Sequence, residues 1–350
     1  MPTQETQLVD SIITSRRTLL ATGGAALAAF ALPSMARAAS SISTYTDNDI
    51  LNFALNLEYL EANFYYLAAF GTTISQTNSL YPSGAMVQGI TGTGTQGTVV
   101  VKPTSTKVNF TNVAIGSYAV ETAVEEGKHV AFLRSALGSA AVAQPQLDLF
   151  TSFYTLAFAA GITPSAATVF DPFASDANFL VAAYVFEDVG VSAYHGAAPL
   201  ISQTTAGKGI LAAAVGIHAV EAYHAGLIRT TINAVDNGVV FPAIPAGTLA
   251  GYTQKISALR ATLANQLPQT PANPDDPNPD DYGVGTASVS LAGGSNVTRS
   301  QIVDADPTNV HGFARSTSQV LNIVTGGGAV TSGTKATGVF FPNGLNGLFS

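Results

Sequence analysis

The sequence predicts an all-α core: a four-helix bundle with a long crossover, a loop-rich insertion and an irregular C-terminal extension. Three observations predict it. Glu-x-x-His occurs twice, at Glu126/His129 and Glu221/His224, and residues at i and i+3 share one helix face. Each pair follows a separate apolar stretch holding an inward-spaced glutamate, Glu58 or Glu187. Glutamate is also sparse: of eight in 350 residues, seven (Glu58, Glu61, Glu121, Glu125, Glu126, Glu187, Glu221) lie on these stretches and none follows Glu221. With five histidines in the chain, chance placement gives roughly 0.1 such pairs, so two are not accidental.

The elements follow in order. Residues 1–38 read as an export signal of the twin-arginine type. Ser15-Arg16-Arg17-Thr18-Leu19-Leu20 opens an apolar stretch to Leu32, and Met35-Ala36-Arg37-Ala38 offers a small-x-small cleavage site. Leu19 and Ala21 stand where such signals usually carry phenylalanine and lysine. The reading implies a protein exported to the periplasm or beyond, with no transmembrane span once the signal is removed. The bundle is expected over 39–236. Its first helix starts at the capping cluster Asp47-Asn48-Asp49, is apolar on most sides and stops at Gly71. Residues 71–112 are rich in Gly, Thr, Ser and Pro and read as an insertion, with a short strand at Thr98–Val101.

The second helix is predicted over Val113–Leu137, ended by Gly138. A crossover follows, with an extra apolar helix at Gln146–Ala159 between Pro145 and Gly161. The third helix is placed at Asp176–Ile201 and the fourth at Thr205–Val235. The extension, 237–350, should hold helices near Tyr252–Gln266 and Ser316–Val324, separated by a Pro-Asp linker at Pro268–Asp281. Its apolar end, Val339–Leu345, should pack on the bundle.

Composition narrows the function. A net charge of −8 and no basic run argue against nucleic acid as a partner. The absence of cysteine excludes disulfides, thiolate metal sites and a cysteine nucleophile. At 47% hydrophobic and 10% charged, the chain suits a large core.

The motif spacing permits a specific chemistry. Glu126, His129, Glu221 and His224 from the second and fourth helices, with Glu58 and Glu187 as bridging carboxylates from the first and third, could hold two cations in the bundle interior. Four carboxylates against two divalent ions make a near-neutral site; without cations they would repel and take up protons. Oxygen and imidazole ligands suit iron or manganese, with zinc able to enter. Tyr65 follows Glu58 by seven residues and Tyr194 follows Glu187 by seven, which suggests two helix pairs related by a pseudo-twofold axis. Each tyrosine is placed to bond a ligand carboxylate or to fill the core.

Asn52-x-x-Leu55-x-x-Glu58 with Tyr65 resembles the first helix of bacterioferritins, and Glu126-Gly-Lys-His129 and Glu221-Ala-Tyr-His224 complete a ferritin-like pattern. The likeness is closer to exported ferritin-like proteins labelled desiccation-related. It rests on Asn52–Phe64, Ala219–His224, Arg315–Leu321 and Phe340–Gly344. The resemblance implies metal ligation by Glu58, Glu126, His129, Glu187, Glu221 and His224. It also implies reaction with dioxygen or peroxide, or else a non-catalytic role in envelope stress. A homo-oligomer is compatible with it, but the 71–112 insertion and the tail argue against a 24-subunit cage.

Several residues carry alternatives. Glu61, one turn from Glu58, could be the ligand in its place. Glu121 and Glu125 read as outer-face carboxylates or partners of ligands. His218 shares the Glu221 face and is expected beside the ligands, whereas His195 reads as a helix-packing residue and His311 as a lone structural histidine in a loop. The acidic pairs Asp275/Asp276 and Asp280/Asp281 read as solvated linker, since they lack calcium-loop spacing.

Overall fold

The computed structural model describes residues 45–76, 89–240, 245–265, 281–306, 310–328 and 335–348. The expected export signal at 1–38, part of the expected insertion and nearly all of the expected Pro-Asp linker lie outside these residues. Four helices carry the architecture: α1 (Asp47–Phe70), α2 (Val113–Leu137), α4 (Asp176–Ala197) and α5 (Thr205–Asp236). Among the described residues, three shorter helices surround them: α3 (Thr151–Ala159), α6 (Thr248–Asn265) and α7 (Thr317–Val324). α1 packs chiefly on α2, and α4 on α5, so the bundle is two helix pairs set face to face.

Helix α1 is capped by a reciprocal pair: the Thr46 hydroxyl accepts from the Asp49 N–H, and the Asp49 carboxylate accepts from the Thr46 N–H. Gly71 ends it at φ +74°, a left-handed conformation that favours glycine. The helix is buried nearly all round. Its polar side chains therefore need partners, and the later chain supplies them. Asn52 donates to the Ala140 carbonyl and accepts from the Val142 N–H. Asn56 exchanges bonds with the Asn346 backbone, and Asn63 donates to Gln144 Oε1. The crossover and the chain's end are thus stitched onto α1 through buried amides.

The expected helices are present, with boundaries that physical causes displace. The crossover helix begins at Thr151 rather than Gln146. Val99–Val100 (β1) pairs in parallel with Leu147–Asp148 (β2), and the Asp148 carboxylate then accepts the Phe150 and Thr151 N–H groups. α4 stops at Ala197 and passes into a 3₁₀ turn over Ala198–Leu200, because Pro199 has no N–H to continue the ladder. α6 starts at Thr248, earlier than expected, since Asp236 at the end of α5 accepts the Leu249 and Ala250 N–H groups.

The extension also holds an antiparallel hairpin the composition did not announce, β3 (Gly285–Ser290) and β4 (Asn296–Gln301). Its strands hold together by backbone pairing, with little burial to mark them.

The tail packs on the bundle as expected. Phe340, Phe341 and Leu345 are buried, and the Phe340 ring lies 5.4 Å from Phe153 and 5.0 Å from Phe186. Behind it Phe64 of α1 meets Phe173, Phe179 and Phe186 at centroid separations of 5.3 to 5.8 Å. α5 is long and apolar enough to cross a membrane. Its buried Glu221, His224 and Arg229 face the bundle interior, and it packs against α4.

Candidate metal centre

Each helix of the bundle brings one part of the site. α1 presents Glu58, α2 presents Glu126 and His129, α4 presents Glu187, and α5 presents Glu221 and His224; all six are buried. Their side chains converge. His129 Nδ1 lies 3.3 Å from Glu58 Oε2, 3.5 Å from Glu126 Oε2 and 3.8 Å from Glu221 Oε1. His224 Nδ1 lies 3.0 Å from Glu126 Oε1 and 3.4 Å from Glu187 Oε2.

The donors sort into two overlapping groups, Glu58, Glu126, His129 and Glu221, and Glu126, Glu187, Glu221 and His224. The shared carboxylates are Glu126 and Glu221. This corrects the expectation that Glu58 and Glu187 would bridge. The glutamate of each Glu-x-x-His pair sits between the two histidines, while Glu58 and Glu187 each belong to one group. Glu126 turns one oxygen toward each histidine.

The tyrosines act across the bundle. Tyr65 of α1 donates to Glu187 Oε1 of α4, and Tyr194 of α4 donates to Glu58 Oε1 of α1. The exchange reflects the pseudo-twofold relation suggested by the seven-residue spacing. Each tyrosine holds one carboxylate oxygen and leaves Oε2 facing inward. On the outer side of His224, Nε2 lies 2.8 Å from Glu125 Oε2, which leaves Nδ1 toward the cluster. Such an outer carboxylate fixes the ring of a metal-binding histidine.

Gly190 makes room for the cluster: a Cβ there would meet Glu221 Oε2 at 2.5 Å. Gly190 stands three residues after Glu187, the place Glu61 holds after Glu58.

Eight donor atoms of the six residues are buried without a hydrogen-bond partner: Glu58 Oε2, both oxygens of Glu126 and of Glu221, Glu187 Oε2, and Nδ1 of His129 and His224. Orphaned buried polar atoms are costly, and here they gather round common points. The electrostatics agree. Burial pushes the Glu58 carboxyl up to about 7 even though His129 opposes it. Burial and neighbouring carboxylates push Glu221 and Glu61 well above the usual range, and burial raises Glu187. Burial would raise Glu126 too, but His129 and His224 more than offset it and hold it low. Burial works against charge on the histidines, yet Glu58 and Glu126 raise His129 to about 12, and Glu187 raises His224 likewise. The cluster favours positive charge, and its buried acid and imidazole donors fit metal binding.

Other candidates are placed elsewhere. Glu61 is buried one turn beyond Glu58, where burial and then the charges of Glu126, Glu187 and Glu58 push its carboxyl up, but it belongs to neither donor group. His218 does not join the cluster: its Nδ1 lies 3.1 Å from the Val191 carbonyl and its ring is 5.9 Å from His195. One helical turn along α5 carries it past the end of the site. His195 packs against the Phe313 carbonyl as expected, and His311 is exposed.

Asp281, expected in a solvated linker, is buried, with its carboxylate 2.7 Å from Arg260 Nε and 2.9 Å from Arg315 Nη2. Asp188, Asp281 and Asp304 form a third acidic group, whose charge is met by guanidinium groups: Arg229 and Arg260 each lie 2.9 Å from Asp188. This network was not foreseen, because its members are scattered over α4, α5, α6 and the extension.

The sequence agrees with known proteins at two levels. The chain is 30% identical to the desiccation-related protein PCC13-62 of Craterostigma plantagineum over 63% of its own length and 63% of the relative's. It is 26% identical to the ferritin-like catalase Nec2 of Nesocodon mauritianus, covering 86% of this chain and 84% of that one. No solved structure matches it significantly. The ferritin-like domain matches residues 46–234, the span that holds all four bundle helices and every residue of the cluster, and the chain therefore belongs to the ferritin-like domain family.

Proposed function

We propose that the cluster binds two metal ions, iron or manganese with zinc as a competitor, in a protein exported by the twin-arginine route. Glu58 and His129 would hold one ion and Glu187 and His224 the other, with Glu126 and Glu221 available to both. One observation carries this reading: eight buried acid and imidazole atoms on four helices converge without a hydrogen-bond partner among the described residues. When bound, the metal pair supplies one-electron chemistry toward dioxygen or peroxide.

The chain's own residues prepare that chemistry. Tyr65 and Tyr194 anchor one oxygen of Glu187 and of Glu58. Glu125 orients His224, and Phe64 and Tyr65 pack against Phe179 in the core beside the Tyr65–Glu187 contact. A catalase among the relatives supports a peroxide-consuming activity. The desiccation-related relative supports a second reading, a non-catalytic stress protein with structural metal.

Purified protein should contain two equivalents of metal, and Glu126→Ala/Glu221→Ala should lose both ions. Peroxide loss or Fe(II) oxidation above that variant's rate supports the redox reading. Full metal content with equal background rates would leave the structural reading. Absence of metal after growth in iron and manganese would overturn both. Export is tested by replacing Arg16 and Arg17 with lysine, which should retain the protein in the cytoplasm.

A further inference from the structure

On the side where α1 faces α4, the described residues surround an apolar cavity of about 50 Å³. Leu57, Leu60 and Glu61 of α1 and Val181, Val185 and Val189 of α4 form its inner wall. Helices α3, α6 and α7, with Phe340 of the tail, line the outer side. The crossover and extension thus build a chamber on the flank of the metal centre. Two lining residues are charged, Glu61 and Arg260, and Arg260 is committed to Asp188 and Asp281. Glu61 stands between two environments. It lines the cavity, and its carboxyl feels the charges of Glu126, Glu187 and Glu58. The corresponding position on α4 is Gly190, packed against Glu221, so of these two matched positions only the one on α1 carries a carboxyl.

We propose that this cavity binds dioxygen and admits it to the carboxylate–histidine cluster past Glu61. The proposal rests on the cluster being a redox metal centre. Size and polarity select the occupant. A water needs only about 10–15 Å³ of such space, and a cavity near 150 Å³ takes benzene; the volume here suits a molecule of two or three heavy atoms. Water needs two to four polar partners, and apart from Glu61 and Arg260 the wall is aliphatic and aromatic. Hydrogen peroxide would leave its hydrogen bonds unmade there. Dioxygen is small, uncharged and without hydrogen-bonding demand.

The test uses methyl-labelled full-length protein under dioxygen pressure, with nitrogen as the control. Dioxygen is paramagnetic, so NMR shifts should concentrate on the Leu60, Val185 and Leu259 methyl groups. Ala157→Leu, which fills the cavity from α3, should reduce them several-fold; Leu259→Phe, from α6, serves as a second filling variant. Shifts spread evenly over the core, or unchanged by filling, would overturn the binding claim. In the iron-loaded protein either variant should raise the dioxygen concentration for half-maximal Fe(II) oxidation several-fold at unchanged metal content. An unaltered dioxygen dependence would overturn admission through the cavity. If the loaded protein does not react with dioxygen at all, admission falls, and the redox reading then stands or falls on peroxide loss. The NMR arm, which needs neither metal nor turnover, still decides binding.

Discussion

The tyrosine pair gives each ligand carboxylate an unequal pair of oxygens. Tyr65 and Tyr194 occupy Oε1 of Glu187 and Glu58 and leave Oε2 for a cation. Tyr65→Phe should leave the fold intact and weaken metal binding about 10–100-fold, measured by chelator competition. Gly190→Ala should act more severely, because the new Cβ would lie 2.5 Å from Glu221 Oε2. The expected result is loss of at least one metal equivalent by elemental analysis. If both ions remain at wild-type affinity, Glu221 has room the structure does not show.

The metal-free cluster also has a pH signature. Glu58 rises from 4.5 to about 7 on folding, and Glu61, Glu187 and Glu221 move the same way. The folded state then binds more protons than the unfolded one, so these groups favour folding below about pH 4.5. That contribution is lost as pH rises through about 7. His129, raised from 6.5 to about 12, adds a loss of the same sign at higher pH. Thermal melts of metal-free protein should therefore give a lower Tm at pH 7.5 than at pH 5. A Tm that rises over this interval would contradict the assignment.

At the scale of elements, helix bodies follow from local chemistry and helix ends often do not. The second helix starts at Asn112, whose side chain accepts the Ala114 and Ile115 N–H groups, and ends at Gly138; both signals are local and its bounds were legible. α6 begins where the distant Asp236 receives its first N–H groups, and nothing in the local sequence marks that start. The extension is held by charge as well as by apolar contact. Arg260 ties Asp281 to Asp188, and Arg315 joins Asp281 to Ser192 of α4. Removing one partner strands the others in a buried setting. Asp281→Ala should cost about 3–5 kcal/mol in urea unfolding. A cost near that of an exposed ion pair, under about 1 kcal/mol, would mean the network is not closed in solution.

For the whole molecule, metal and fold should be thermodynamically linked. A ligand that binds only the folded state at 100 times its Kd stabilises by about 2.7 kcal/mol. Mn(II) added to metal-free protein should raise the Tm and flatten its fall between pH 5 and 7.5, and the Glu126→Ala/Glu221→Ala variant should respond to neither. By itself the sequence determined the four helices, the six converging residues and the seven-residue Glu–Tyr repeat. Each rests on periodicity along one helix, which a linear pattern carries in full. Only the tertiary structure decided that Glu126 and Glu221 are the shared carboxylates, that each tyrosine serves the opposite helix pair, and that Asp281 is buried among arginines. Those facts depend on which faces of separate helices meet, and that is settled only when the chain packs to bury its apolar surface.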